Sequence, residues 1–108
     1  MKLIDKKCKP CEGGVPKLTP EEIIHNQSQL LEPWELVDNM KIVKTFKFSS
    51  YPSVITFVNR VAELAEVEGH HPVMHVFFSH LKVELWTHAI LGLSENDFIL
   101  AAKIDKLR

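Results

Sequence analysis

The chain has 108 residues, 45% apolar and 25% charged, which is the composition of one soluble globular domain and not of a disordered or fibrous chain. Thirteen Lys and Arg against fourteen Asp and Glu leave a net charge of −1, excluding a general electrostatic grip on nucleic acid or a polybasic hold on a membrane. No apolar run approaches the ~18–20 residues that span a bilayer, and Met1–Lys7 lacks the apolar core of a secretory signal, so a cytoplasmic protein is expected.

Residues 1–18 are rich in Lys, Pro and Gly and show no periodicity, which predicts a flexible N-terminal arm ahead of a single domain over 19–108. Thr19-Pro20-Glu21-Glu22 is a capping box with proline at the first helical position, and predicts a helix running to about Leu31. Trp34–Val37 and Ile42–Phe48 read as strands joined at Asp38-Asn39, with Lys44 the exception on an otherwise apolar face. From Pro52 to Glu68 the apolar period becomes 3.6, with Val54, Phe57, Val58, Val61, Leu64 and Ala65 on one helix face. Gly69 suits the left-handed residue that ends such a helix, and Pro72 blocks its continuation.

Two further strands are predicted at Val73–Ser79 and Lys82–Thr87. Met74, Val76 and Phe78 mark one face of the first, Val83, Leu85 and Thr87 one face of the second, and Phe77 and Trp86 point to the opposite side. Ser94-Glu95-Asn96-Asp97 is a second capping box, opening a last helix to about Leu107. The order α-β-β-α-β-β-α, with strands arriving in hairpins, predicts an α+β fold: a four-stranded antiparallel sheet with helices packed on one face.

Five of the six histidines fall between His70 and His88. His70-His71-Pro72 sits where the long helix leaves for the third strand, and a proline-pinned exit can splay two adjacent imidazoles toward one cleft. His88 ends the fourth strand, the hairpin neighbour of the third, so topology alone brings His70, His71 and His88 to one end of the sheet. Imidazole exchanges protons near neutral pH, which suits such a cluster to acid–base work. Single histidines at helix ends more often cap carbonyls; His25 on the first helix, and His75 and His80 within or just after a strand, are read as structural or solvent-facing.

Three histidines could also ligate zinc, but no HExxH or comparable spacing is present, and no metal is expected. Cys8-x-x-Cys11 has no second pair, and reads as two reduced thiols in the arm ahead of a metal or redox site. Asp97 is fully accounted for as the third helical residue of its capping box, and could also orient a histidine from there. No nucleophile elbow, phosphate-cradling glycine loop or catalytic carboxylate pair is present in the sequence.

Glu66-x-x-x-His70-His71-Pro72, followed by Phe78, Thr87-His88, Gly92-Leu93-Ser94, Asp97 and Ile104-Asp105, resembles the motif of the pterin-4a-carbinolamine dehydratase family. Cys8-x-x-Cys11-x-Gly13-Gly14 and Leu18-Thr19-Pro20-Glu21-Glu22 are similar to its bacterial members, so the resemblance spans Cys8 to Asp105. It implies loss of water from 4a-hydroxytetrahydropterin to give quinonoid dihydropterin, in tetrahydrobiopterin recycling, with no metal or organic cofactor and with assembly as a homodimer or homotetramer. It further implies His70 and His88 as the proton-transfer pair, His71 as a pterin-binding or supporting group, and Glu66, Thr87 and Asp97 as binding or orienting groups, with Pro72 holding the backbone. Gly69 and Val73 depart from the acidic residues, and Phe78 from the tyrosine or tryptophan, that other members often carry there. The competing expectation is a non-catalytic dimerisation or co-activator-type module of the same fold, for which Phe77 and Trp86 would supply an apolar surface.

Overall fold

Two capping boxes and one left-handed glycine set the helix ends in the computed structural model, which describes residues 2–10 and 14–108. Helix α1 (Pro20–Ser28) opens with the Thr19 hydroxyl accepting from Glu22 N–H and the Glu22 carboxylate accepting from Thr19 N–H. It closes three residues before the expected Leu31. Gln29 N–H turns back to the carbonyls of Asn26 and Gln27, while the Gln27 side chain bonds both backbone groups of Trp34. Leu31 is left 96% exposed.

Strands β1 (Glu35–Val37) and β2 (Lys41–Lys47) join through Asp38 and Asn39, both at positive φ, as a tight right-twisted hairpin requires. Helix α2 (Tyr51–Glu68) ends at Gly69, whose φ of 69° is readily reached only without a side chain. Strands β3 (Val73–Val76) and β4 (His80–Leu85) follow, and helix α3 (Glu95–Leu107) completes the chain after a short 3-10 turn at His88–Ile90. Among the described residues the sheet is antiparallel throughout, in the order β1-β2-β4-β3, which is the expected α+β architecture.

Two strand ends differ from expectation. β3 stops at Val76 because Phe77 N–H donates to His80 O, closing the hairpin and leaving Phe78 79% exposed instead of on the core face. β4 begins earlier, at His80, and ends at Leu85; Trp86 leaves the ladder, and Thr87 pairs with Gly92 in an isolated bridge.

Register fixes the two faces. Ile42, Phe46, Leu81, Val83 and Leu85 point inward and pack with Val54, Phe57 and Val61 of α2, Phe98, Ala101 and Ile104 of α3, and Ile23 of α1. Lys44 shares that inward parity and leads its amine out of the core to Asp105 Oδ1, at 2.8 Å, where Trp34 Nε1 also donates to the same carboxylate.

Residues 2–10 lie against the domain. Leu3 and Cys8 are buried in the main core, and Cys8 N–H, Lys9 N–H and the Lys7 amine all bond to the body of the domain. Cys11 and Gly13 lie outside the described residues, as does any pairing of Cys8 with Cys11. No helix among the described residues is long and apolar enough to cross a membrane.

Candidate active site

Val73 pairs with Glu84, so the chain entering β3 and the chain leaving β4 stand at the same end of the sheet. His70 and His71 arrive from the first side and Thr87 and His88 from the second. Gly69 reverses the chain after α2, with its N–H and that of His70 both reaching Ala65 O, and this turn carries His70 inward.

His70 Nε2 lies 2.7 Å from Asp97 Oδ1, and the two side chains are 5% and 0% exposed. The other oxygen of Asp97 accepts from Thr87 Oγ1 at 2.9 Å and from Ser94 N–H at 3.0 Å. Ser94 Oγ is 2.7 Å from Thr87 Oγ1; the single Thr87 proton goes to Asp97, so Ser94 donates to Thr87. A carboxylate at Asp97 accepts at every contact, and facing it the imidazole presents its Nε2 as the N–H donor. The capping carboxylate and the histidine-orienting carboxylate are one group, joining both readings the sequence left open.

His71, the next residue, is exposed and pairs with the equally exposed Glu66 at 2.7 Å. Pro72 separates the pair from β3. His88 opens the 3-10 turn instead of ending β4, and its exposed ring packs over Trp86 with centroids 4.3 Å apart. Thr87, one residue before it, is fully buried on Asp97. One carboxylate thus ties the His70 turn to the segment that carries His88.

The remaining histidines stand apart. His80 stacks on Phe77 at 4.3 Å, and His75 pairs with Glu84 on the open face of the sheet. The Lys41 ammonium bonded to Glu84 holds that carboxyl below the usual glutamate range; burial opposes the effect and His75 adds to it. A concavity of about 380 Å³ lined by Phe48, Pro52, Phe57, Arg60 and Arg108 sits along the first half of α2, the half remote from the Gly69 turn. It contains no histidine. Among the described residues no group of three or more His, Cys, Asp or Glu side chains is arranged to hold a metal ion.

Sequence reasoning missed the supports behind the pair. Glu68 is buried against Cys8 N–H, at 3.0 Å, and the Lys103 amine, at 2.7 Å; burial works against its ionisation, but these donors hold it below the usual range. Asn96 exchanges two hydrogen bonds with the Lys9 backbone. The only sequence signal was their place, each within two residues of His70 or Asp97.

Residues 16–107 match the family described as pterin 4 alpha carbinolamine dehydratase. A Nitrosomonas eutropha protein provisionally named pterin-4-alpha-carbinolamine dehydratase is 53% identical over 105 residues, covering 97% of this chain and 92% of its own. A Rickettsia bellii protein of the same provisional name is 48% identical over 106 residues, covering 98% and 94%. Among solved structures, a transcriptional coactivator/pterin dehydratase from Brucella melitensis superposes with a TM-score of 0.79 at 29% identity, over 85% of this chain and 98% of that one. A pterin dehydratase-like RuBisCO assembly factor of the alpha-carboxysome gives 0.59 at 29% identity, over 68% and 87%. With a buried His70–Asp97 pair at the helix ends and this likeness along nearly its whole length, the chain belongs to the pterin-4-alpha-carbinolamine dehydratase family.

Proposed function

We propose that the protein is a 4a-hydroxytetrahydropterin dehydratase, a carbon–oxygen lyase of tetrahydrobiopterin recycling, acting by histidine acid–base catalysis without a cofactor. The observation that carries this reading is the buried His70–Asp97 contact of 2.7 Å, an imidazole oriented by a carboxylate that itself has three partners. In the elimination, the C4a–O bond breaks and the hydroxyl leaves as water after taking one proton. N5 gives up its proton, and its electron pair closes the N5=C4a double bond. His70 and His88 are assigned as the proton-transfer pair, one supplying and one accepting a proton, so that the enzyme returns to its starting state once the two protons re-equilibrate with water. His71 and Glu66, adjacent and exposed, form a supporting pair for the polar pterin ring. Thr87 and Asp97 orient, and Pro72 holds the turn. Positioned proton transfer of this kind contributes ~10²–10⁴-fold.

The test is dehydration of freshly generated 4a-carbinolamine with the uncatalysed rate subtracted. His70→Ala and His88→Ala each lower kcat/KM at least tenfold; wild-type rates in both would defeat the assignment.

A second reading, a non-catalytic binding module, is favoured by Val76 at the end of the edge strand and by Phe77 and Phe78 in the turn that follows, which are 44%, 45% and 79% exposed. Both readings entail a homodimer or homotetramer, which sedimentation velocity measures. They part on the assay: a folded, assembled wild type that adds nothing to the uncatalysed rate supports the module alone.

A further inference from the structure

Residues 6–9 lie across the two helix ends that carry His70 and Asp97, and their contacts alternate between those ends. Lys6 Nζ reaches Glu95 Oε2 on α3 at 2.8 Å, and Lys7 Nζ reaches Val67 O on α2 at 2.8 Å. Cys8 engages both, through N–H to Glu68 Oε1 at 3.0 Å and Sγ to Asn96 O at 3.5 Å. Lys9 returns to α3, its N–H donating to Asn96 Oδ1 at 2.9 Å while Asn96 Nδ2 donates to Lys9 O at 2.8 Å. Glu68 is in turn held by Lys103 of α3 at 2.7 Å.

These bonds close a ring. It runs from Cys8 through Glu68, along the backbone to His70, across the 2.7 Å contact to Asp97, back one residue to Asn96, and through Lys9 to Cys8. Glu68 and Asn96 are 8% and 1% exposed, so their bonds to the strap work in a low-dielectric setting. Exposed tethers are weak, and the Lys7 bond to Val67 O is such a contact, while the Lys6–Glu95 ion pair is half-buried.

We infer that the segment Lys6–Lys9 is a positioning strap for the proton-transfer site, with Glu68 and Asn96 as its anchors, setting the distance between the end of α2 and the start of α3 and hence the His70–Asp97 contact. This rests on the dehydratase reading for its effect on turnover, but not for its effect on the imidazole. None of the strap residues touches the reacting atoms; they act through His70 and Asp97. Catalytic geometry is sensitive to displacements of this size, since a shift near 1 Å can cost ~100-fold.

The test uses the full chain and two variants. Asn96→Ala removes the anchor on α3. Lys9→Pro removes the backbone donor under an exposed side chain while fixing φ at that residue, and serves where Asn96→Ala unfolds. Kinetics are paired with the 15N-resolved ring resonances of His70, because a smaller folded fraction would also lower kcat. Expected in both variants are a kcat reduced ~10-fold, a KM within about twofold of wild type, and a His70 Nε2–H signal that shifts and exchanges faster with water. Unchanged ring resonances in folded variants overturn the strap, whatever the rate. Perturbed ring resonances in variants of a wild type that shows no dehydration uphold the strap and remove the dehydratase reading instead.

Discussion

Asp97→Asn separates the orienting role of this carboxylate from its capping role. The side chain is fully buried and accepts at both oxygens: from Thr87 and the Ser94 backbone at one, and from His70 at the other. An asparagine can keep its single carbonyl oxygen on Ser94 N–H and Thr87, preserving the start of α3. Its amide NH₂ then faces His70 Nε2, and two donors cannot share that contact. The imidazole must shift its proton to Nδ1 and accept at Nε2, reversing the tautomer. The size is unchanged and most bonds survive, so the structural cost is about 1–2 kcal/mol, read as a Tm lower by roughly 5–15 °C. The catalytic cost is far larger, ~10²–10⁴-fold in kcat, because the ring now presents the wrong nitrogen state to the pterin. Stopped-flow dehydration, with melting curves for the same samples, tests both halves. A variant that keeps wild-type turnover while its ring resonances report the reversed tautomer would refute the reasoning.

Three further outcomes follow from particular groups. Glu84, held below the usual glutamate range by Lys41, stabilises the fold above its unfolded value of ~4.3, and this contribution fades as pH falls through the lower folded value. Glu84→Gln is therefore less stable than wild type at pH 7 by urea titration, and the gap narrows below pH ~4.3; a gap constant from pH 7 to 3 refutes this. Gly69→Ala places a methyl in open space but at a φ of 69°, costing about 1 kcal/mol and lowering Tm by roughly 4–8 °C; an unchanged Tm would remove the strain argument. Burial, with Glu68 adding to it, pushes the Cys8 thiol up to about 12, so a Cys11→Ser variant resists iodoacetamide at pH 8 until it unfolds, and labelling at the rate of a free thiol contradicts it.

How much of this could be read from the chain depends on how local each signal is. The start of α1, the apolar face of α2 and its end at Gly69 depend on neighbours within a few residues, and all three stand where periodicity and capping place them. Strand ends were misplaced because Phe77 and Trp86 look like strand residues, while the hairpin's own hydrogen bond decides where the ladder stops. Hairpin logic brought the His70 turn and the His88 segment to one end of the sheet, although His88 itself sits in a 3-10 turn. Two features had no local signature at all. The strap contacts span 60 to 89 residues, and a Lys- and Pro-rich stretch reads the same whether it is bound or loose. The pairing of His75 with Glu84 needs the β3–β4 register, which periodicity alone leaves open.

The site also follows from how helices end. Each helix leaves unsatisfied carbonyls at its C-terminus and unsatisfied N–H groups at its N-terminus, carrying opposite partial charges. α2 delivers His70 just past its carbonyl end, and α3 presents Asp97 inside its first turn, so the basic side chain leaves a negative pole and the acidic one sits at a positive pole. Antiparallel helices on one face of a sheet bring such unlike poles together, which makes this corner a favourable place to bury an imidazole against a carboxylate. The fold would hold that polarity with any small pair there; Thr87, Ser94 and the strap turn a tolerated contact into a fixed one. Reversing the pair tests the argument: His70→Asp with Asp97→His keeps both groups but opposes each to its pole and empties the Ser94 cap. The double variant should melt well below the sum of effects expected for an exchange of equals, and equal stability would show that the helix ends contribute nothing to the pair.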